Sequence, residues 1–171
     1  MAESASTCTH LITDRVRRTA KFLACLARGV PIVTDSWLDE SYASRRALPI
    51  DSYLLADRKA ERKYKFNLAT SLASAADAPV FADMAFLITD SVVPPPEMLI
   101  DIIAQAGGTV LSPQDIASSE ASEIYVVTCP KDRRRAKSLS PRDPLVFVTP
   151  EFVLSGILQQ APDPSQHAFS L

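Results

Sequence analysis

Arg18 and Lys21 are the residues best equipped to handle an anion. They stand three apart in a basic stretch that also holds Arg15 and Arg17, and in a helix that spacing sets both on one face. A planar guanidinium holds a carboxylate through two parallel hydrogen bonds, and an ammonium offers three donors to a phosphate. A second constellation lies near the other end of the chain. Glu151 and Ser155 are four apart and share one helix face. Blander readings stand beside these. Arg17, Arg18 and Lys21 also fit a solvated helix face, and Glu151 fits a first-turn carboxylate favoured by the helix dipole.

Catalytic and metal chemistry find little footing. Cys8 and His10 are two apart, yet no second ligand pair completes a zinc site, and the only other histidine is His167. No glycine-rich phosphate loop or nucleophile elbow is present. The run Arg133, Arg134, Arg135 could touch nucleic-acid phosphates or simply be solvated. A formal net charge of −2 argues against nucleic-acid binding by the whole surface, which needs a basic domain. Three cysteines without metal-type spacing point to a reducing compartment and no disulfide framework. No apolar run approaches the roughly 20 residues that cross a bilayer, and the N-terminus lacks a signal-peptide core. The chain reads as a binding module without cofactor or metal, and not as an enzyme.

The elements that must position these residues come in two copies. Residues 31–38, Pro-Ile-Val-Thr-Asp-Ser-Trp-Leu, read as a short apolar strand, a turn of helix-capping residues and the start of a helix. The same pattern returns at 146–154. Val33 matches Val148, Thr34 matches Thr149 and Trp37 matches Phe152, each 115 positions on. Residues 11–13 match 126–128 at the same offset, and both segments lead into basic stretches. A repeat in register argues for two copies of one supersecondary unit.

In chain order, residues 1–7 are small, polar and expected to be loose. A strand at 9–13 leads to a helix at 17–28, closed by Gly29. The strand at 32–33 leads to a helix at 35–45, on which Trp37 is expected in the core. Strand, helix, strand, helix with short joints means parallel pairing and a right-handed crossover. The charge-dense run 57–65 pairs Glu61 with Lys65. Tyr64, Leu68 and Leu72 then recur every four residues, which predicts one interdomain helix ending over 71–79. A strand at 81–88 follows. Pro96 can open a helix that Gly107 and Gly108 stop. Strands at 109–111, 123–128 and 145–148, with a loop or short helix before the last, lead to a helix at 150–158. Residues 161–171 are a proline-containing tail.

This order, the Gly107-Gly108 pair and the matching aromatics Trp37 and Phe152 resemble the BRCT repeat. Two such repeats around a linker helix resemble a tandem BRCT module, closest to the phosphopeptide-reading pair of checkpoint-mediator and PTIP-type DNA-damage proteins. Residues 9–23, 31–38, 94–98, 107–109, 127–130 and 149–156 carry the likeness, which covers nearly the whole chain. It implies an α/β fold of small parallel sheets flanked by helices. The first repeat is then 1–48, the linker with its helix 49–78, and the second repeat 79–171. By resemblance, Lys21 matches the phosphate-binding lysine, and Arg18 the arginine that reaches the peptide backbone or its terminal carboxylate. Pro95, Glu151 and Ser155 match positions of the groove that selects the residue three after the phosphate.

The resemblance implies a nuclear phosphoserine-peptide reader of the DNA-damage response, with a phosphorylated protein or histone H2A-type tail as partner. Two alternatives stay open: a phosphate-independent scaffold, and a DNA-end-binding part of a repair protein that uses residues 133–135. The likeness also exposes a departure. A complete first repeat would open with a strand, a helix and a second strand ahead of Thr9, the first strand ending in a Ser/Thr-Gly pair. The first repeat is therefore expected to be N-terminally truncated. An open sheet edge, lowered stability and self-association through that edge would follow.

Overall fold

The structure is a computed structural model that describes residues 7–139 and 145–171. The loose start expected over residues 1–6 lies outside them. Two parallel sheets are present. The first joins β1 (Leu11–Ile12) to β2 (Ile32–Val33), and the second is ordered β4-β3-β5-β6. Its strands are β3 (Ala85–Ile88), β4 (Thr109–Val110), β5 (Ile124–Val127) and β6 (Leu145–Val148). β3, Ala-Phe-Leu-Ile, is an unbroken apolar run, as a parallel strand covered on both faces requires. The pairing register repeats with the sequence: Leu11 faces Ile32 in the first sheet and Val126 faces Phe147 in the second. Both members of the pair shift by the same 115 positions.

The sheet edges are treated differently. The tail closes β6: Phe169 N–H donates to Phe147 O at 2.8 Å and Thr149 N–H to His167 O at 2.9 Å. What reads in sequence as a mere tail is thus an added edge segment. Residues 53–55 cover β2 in the same way, with Leu55 N–H donating to Ile32 O at 2.9 Å. In β1, Leu11 and Thr13 direct their N–H groups to Pro31 O and Val33 O. Alternation along the strand then turns the backbone of His10 and Ile12 to the other edge. No strand lies there among the described residues.

Seven helices are described: α1 (Ala20–Ala27), α2 (Asp35–Ala43), α3 (Arg58–Tyr64), α4 (Leu68–Asp77), α5 (Pro96–Gln105), α6 (Arg133–Ser138) and α7 (Pro150–Gln159). Helix α1 starts later than the 17–28 expectation. The Thr19 hydroxyl accepts from Phe22 N–H and caps it. Arg17 and Arg18 therefore precede the helix, and Arg18 does not share a helical face with Lys21. The single linker helix is also corrected to two. Lys65 adopts the left-handed region at φ 55°, which ends α3. Glu61 does not pair with Lys65 but accepts from Leu68 N–H at 2.9 Å, tying the two helices together. The 81–88 strand shortens to β3, because residues before it turn and Asp83 takes φ 60°. Helix α6 occupies the place left open as a loop or short helix.

In the larger of two buried clusters α1, α5 and α7 pack against each other across the two halves, while Ala85, Leu87, Ile124 and Val126 form a smaller one on the second sheet. Phe22, Leu23 and Leu26 of α1 meet Leu99, Ile102 and Ile103 of α5 and Phe152, Ile157 and Leu158 of α7, all fully or almost fully buried. Each such side chain contributes about 1.5–3 kcal/mol on burial. Helix α4 adds Leu68, Leu72 and Ala75. Its Ser71 hydroxyl donates to Leu158 O at 2.6 Å. Gly29 takes φ +66° where a Cβ would stand 2.8 Å from the Ala76 backbone, so only glycine lets α1 and α4 approach this closely. Trp37 is buried as expected, with its indole N–H on Leu48 O at 2.9 Å and its ring stacked on His10 at 4.6 Å.

Candidate functional site

Three elements converge on Arg18. Its guanidinium Nη2 lies 2.6 Å from Glu151 Oε2 on the first turn of α7. On another side the Tyr64 ring, at the end of α3, faces its Cζ at 5.0 Å, a cation–π arrangement. Ser155, one turn along α7, donates to Glu151 Oε1 at 2.7 Å. The i, i+4 spacing of Glu151 and Ser155 thus does what its geometry allows: the hydroxyl fixes the carboxylate that fixes the arginine. Gln159, a further turn on, donates to Tyr64 O at 3.0 Å and anchors the linker to the same helix.

The arginine is 22% exposed while its Nε–H is buried without an acceptor among the described residues. A buried unpaired donor costs about 1–3 kcal/mol. Burial pushes the Glu151 carboxyl up, but the Arg18 and Ser155 hydrogen bonds outweigh it and hold the group below its ordinary value. Lys63 stands 4.9 Å from the Tyr64 ring centroid, so two cations flank one aromatic ring.

Lys21 sits on the exposed first turn of α1. It lines a hollow of about 450 Å³ shared with Thr9, His10, Ile12 and Trp37, directly beside the open edge of β1. Pro95 lies on the second repeat, ahead of α5. It is exposed, and its carbonyl accepts from Met98 N–H at 3.0 Å and Leu99 N–H at 3.2 Å. Helix initiation accounts for that proline stretch. Arg18, Glu151 and Ser155 are therefore brought together from opposite ends of the chain, with Lys21 nearby in sequence on the following helix. Tyr64 is the member that its spacing with Leu68 and Leu72 marked only as part of a linker helix. Its further sequence signal is an aromatic lodged between Lys63 and Lys65 in a charged linker.

The arginine run 133–135 is largely engaged within the fold. Arg133 donates to Ser170 O at 2.9 Å and stacks over Phe169, and Arg135 pairs with Asp90. Among the described residues, no group of three His, Cys, Asp or Glu side chains could hold a metal, and no helix is long and apolar enough to cross a membrane.

The comparisons with known proteins agree with this geometry. The BRCT domain model matches residues 79–168, and the model of the Regulator of Ty1 transposition protein 107 BRCT domain matches residues 1–55. Mediator of DNA damage checkpoint protein 1 from Rattus norvegicus is 36% identical over 170 residues, covering 99% of this chain and 13% of that protein. PAX-interacting protein 1 from Bos taurus is 35% identical over 178 residues, covering 99% of this chain and 18% of that protein. The chain thus spans less than a fifth of the length of these relatives. Among solved structures, the BRCT5-BRCT6 domains of S. pombe Brc1 superpose with a TM-score of 0.77 at 22% identity, covering 97% of this chain and 84% of that one. Rtt107p in complex with phosphorylated histone H2A superposes with a TM-score of 0.65 at 10% identity, covering 96% and 77%. The chain belongs to the BRCT family and is a tandem pair of BRCT repeats, similar to those of DNA-damage checkpoint and repair proteins.

Proposed function

We propose that this tandem module binds a phosphoserine peptide of a nuclear DNA-damage-response partner. Lys21 takes the phosphate and Arg18 the peptide's backbone carbonyl or terminal carboxylate. The observation that carries the reading is the partly exposed Arg18 guanidinium, fixed by Glu151 at 2.6 Å, with the exposed Lys21 on the helix that follows. Glu151 holds one side of the guanidinium and the Tyr64 ring covers another. Glu151 and Ser155, with Pro95, then form the groove that selects the residue three after the phosphate. The complex of Rtt107p with phosphorylated histone H2A, a protein of the same fold, makes a phosphorylated H2A-type tail the partner to test first.

Titration calorimetry on Lys21→Met tests the phosphate assignment. Losing a charge-assisted hydrogen bond costs roughly 1.5–3 kcal/mol, about tenfold to a hundredfold in affinity for a phosphoserine peptide with a free C-terminus. Unchanged affinity in a folded Lys21→Met variant contradicts the assignment. The DNA-end reading has less support, because Arg133 and Arg135 are committed within the fold.

A further inference from the structure

Helix α3 of the linker borders a hollow that the proposed peptide site does not use. It measures about 500 Å³ and is lined by Arg58, Glu61, Arg62, Lys65, Phe66 and Asn67. It lies where Lys65, at φ 55°, ends α3 and the chain bends into α4. Neither Arg18 nor Lys21 lines it. Arg58 and Arg62 are four apart and Lys65 follows three later, so one side of α3 presents all three cations. All three are exposed. The ion pairs among the described residues join Arg15, Arg17, Arg18 and Arg135 to carboxylates, and none takes in Arg58, Arg62 or Lys65. The one carboxylate of the lining, Glu61, turns an oxygen to Leu68 N–H at 2.9 Å. Phe66, half-buried against the core, gives the hollow an apolar wall.

Helix stability does not explain this arrangement. The dipole favours cations in the last turn, which accounts for Arg62. Arg58 instead opens the helix, where the dipole disfavours a cation, and it stands one turn from Arg62, a like charge. No residue of α3 is buried, so core packing does not dictate these residue types either. What remains is a surface with three cations against one carboxylate beside an aromatic wall. Guanidinium groups hold carboxylates with two hydrogen bonds each, and arginine clusters recognise acidic motifs in this way.

We propose that this hollow docks an acidic segment of a partner protein, with carboxylates on Arg58, Arg62 and Lys65 and an apolar side chain against Phe66. The surface is separate from Arg18 and Lys21 and acts whether or not Lys21 binds phosphate.

The test uses a fluorescein-labelled polyglutamate peptide with one central phenylalanine. Both ends are blocked, so it offers neither a phosphate nor a terminal carboxylate. Fluorescence anisotropy should show saturable binding that weakens as salt is raised. Reversing two charges, Arg58→Glu with Arg62→Glu, should weaken it about tenfold or more, and Lys65→Glu should weaken it further. A thermal melt shows that these variants are folded; Arg58→Glu alone, which suits the helix dipole, should melt no lower than the unaltered chain and still bind less tightly. Replacing the peptide's phenylalanine by serine should also weaken binding. Lys21→Met should leave it unchanged, and excess phosphoserine peptide should not displace the probe. Equal binding by the folded charge-reversed variants overturns the proposal. So does loss of binding in Lys21→Met, which would send the acidic peptide to the other cations. A single-stranded oligonucleotide that binds more tightly than the peptide, and is lost in the same variants, makes the hollow a nucleic-acid contact and overturns it as well. None of these results decides whether Lys21 reads phosphate.

Discussion

At the residue scale, Arg18 and Glu151 form a partly exposed ion pair that bridges the two halves, with side chains 22% and 41% exposed. Such a pair is screened by solvent and adds little to stability by itself. Its value lies in fixing the guanidinium. The pH dependence follows from the Glu151 shift. Its folded-state pKa is depressed below 4.5, so its contribution is present above that value and is lost as pH falls through the depressed one. The difference in Tm between the unaltered chain and Glu151→Gln should be flat at neutral pH and shrink on acidification. Thermal melts across an acid series check this, and a gap that widens on acidification contradicts it. Arg18, Glu151 and Ser155 were legible from residue type, the i, i+4 spacing and the family resemblance. Tyr64 was not, because its approach to Arg18 depends on where α3 stops. The helical period runs through Lys65 without a break, while the backbone there turns left-handed.

At the element scale, strand pairing was the most readable feature, since the offset of the sequence repeat is also the offset of the register in β1–β2 and β5–β6. The edges were less readable. Nothing in a proline-containing tail signals that its backbone will pair with β6, because that pairing is made by main-chain groups common to every residue. The β1 edge is the reverse case: the resemblance leads one to expect it open, and among the described residues no strand pairs with it. Ile12 on β1 and Leu38 and Tyr42 on α2 are 39%, 51% and 86% exposed. Such an edge templates pairing with another chain. The purified chain should show concentration-dependent association by sedimentation velocity, reduced by Ile12→Lys with Leu38→Glu. A strictly monomeric chain across the accessible concentrations argues against this expectation.

At the scale of the whole molecule, α1, α5 and α7 join the halves through one core. Arg18, which precedes α1, and Glu151, which opens α7, are held on the two sides of that junction. The groups proposed to bind a ligand are therefore positioned by the packing of one repeat on the other, and neither half alone contains them all. The sharpest test of this account is calorimetry of the unaltered chain with one peptide sequence in phosphorylated and unphosphorylated forms, each with a free or an amidated C-terminus. The account predicts that the phosphorylated free acid binds most tightly, that removing the phosphate costs about tenfold or more, and that amidation weakens what Arg18 holds. Equal affinity for the phosphorylated and unphosphorylated forms would contradict it.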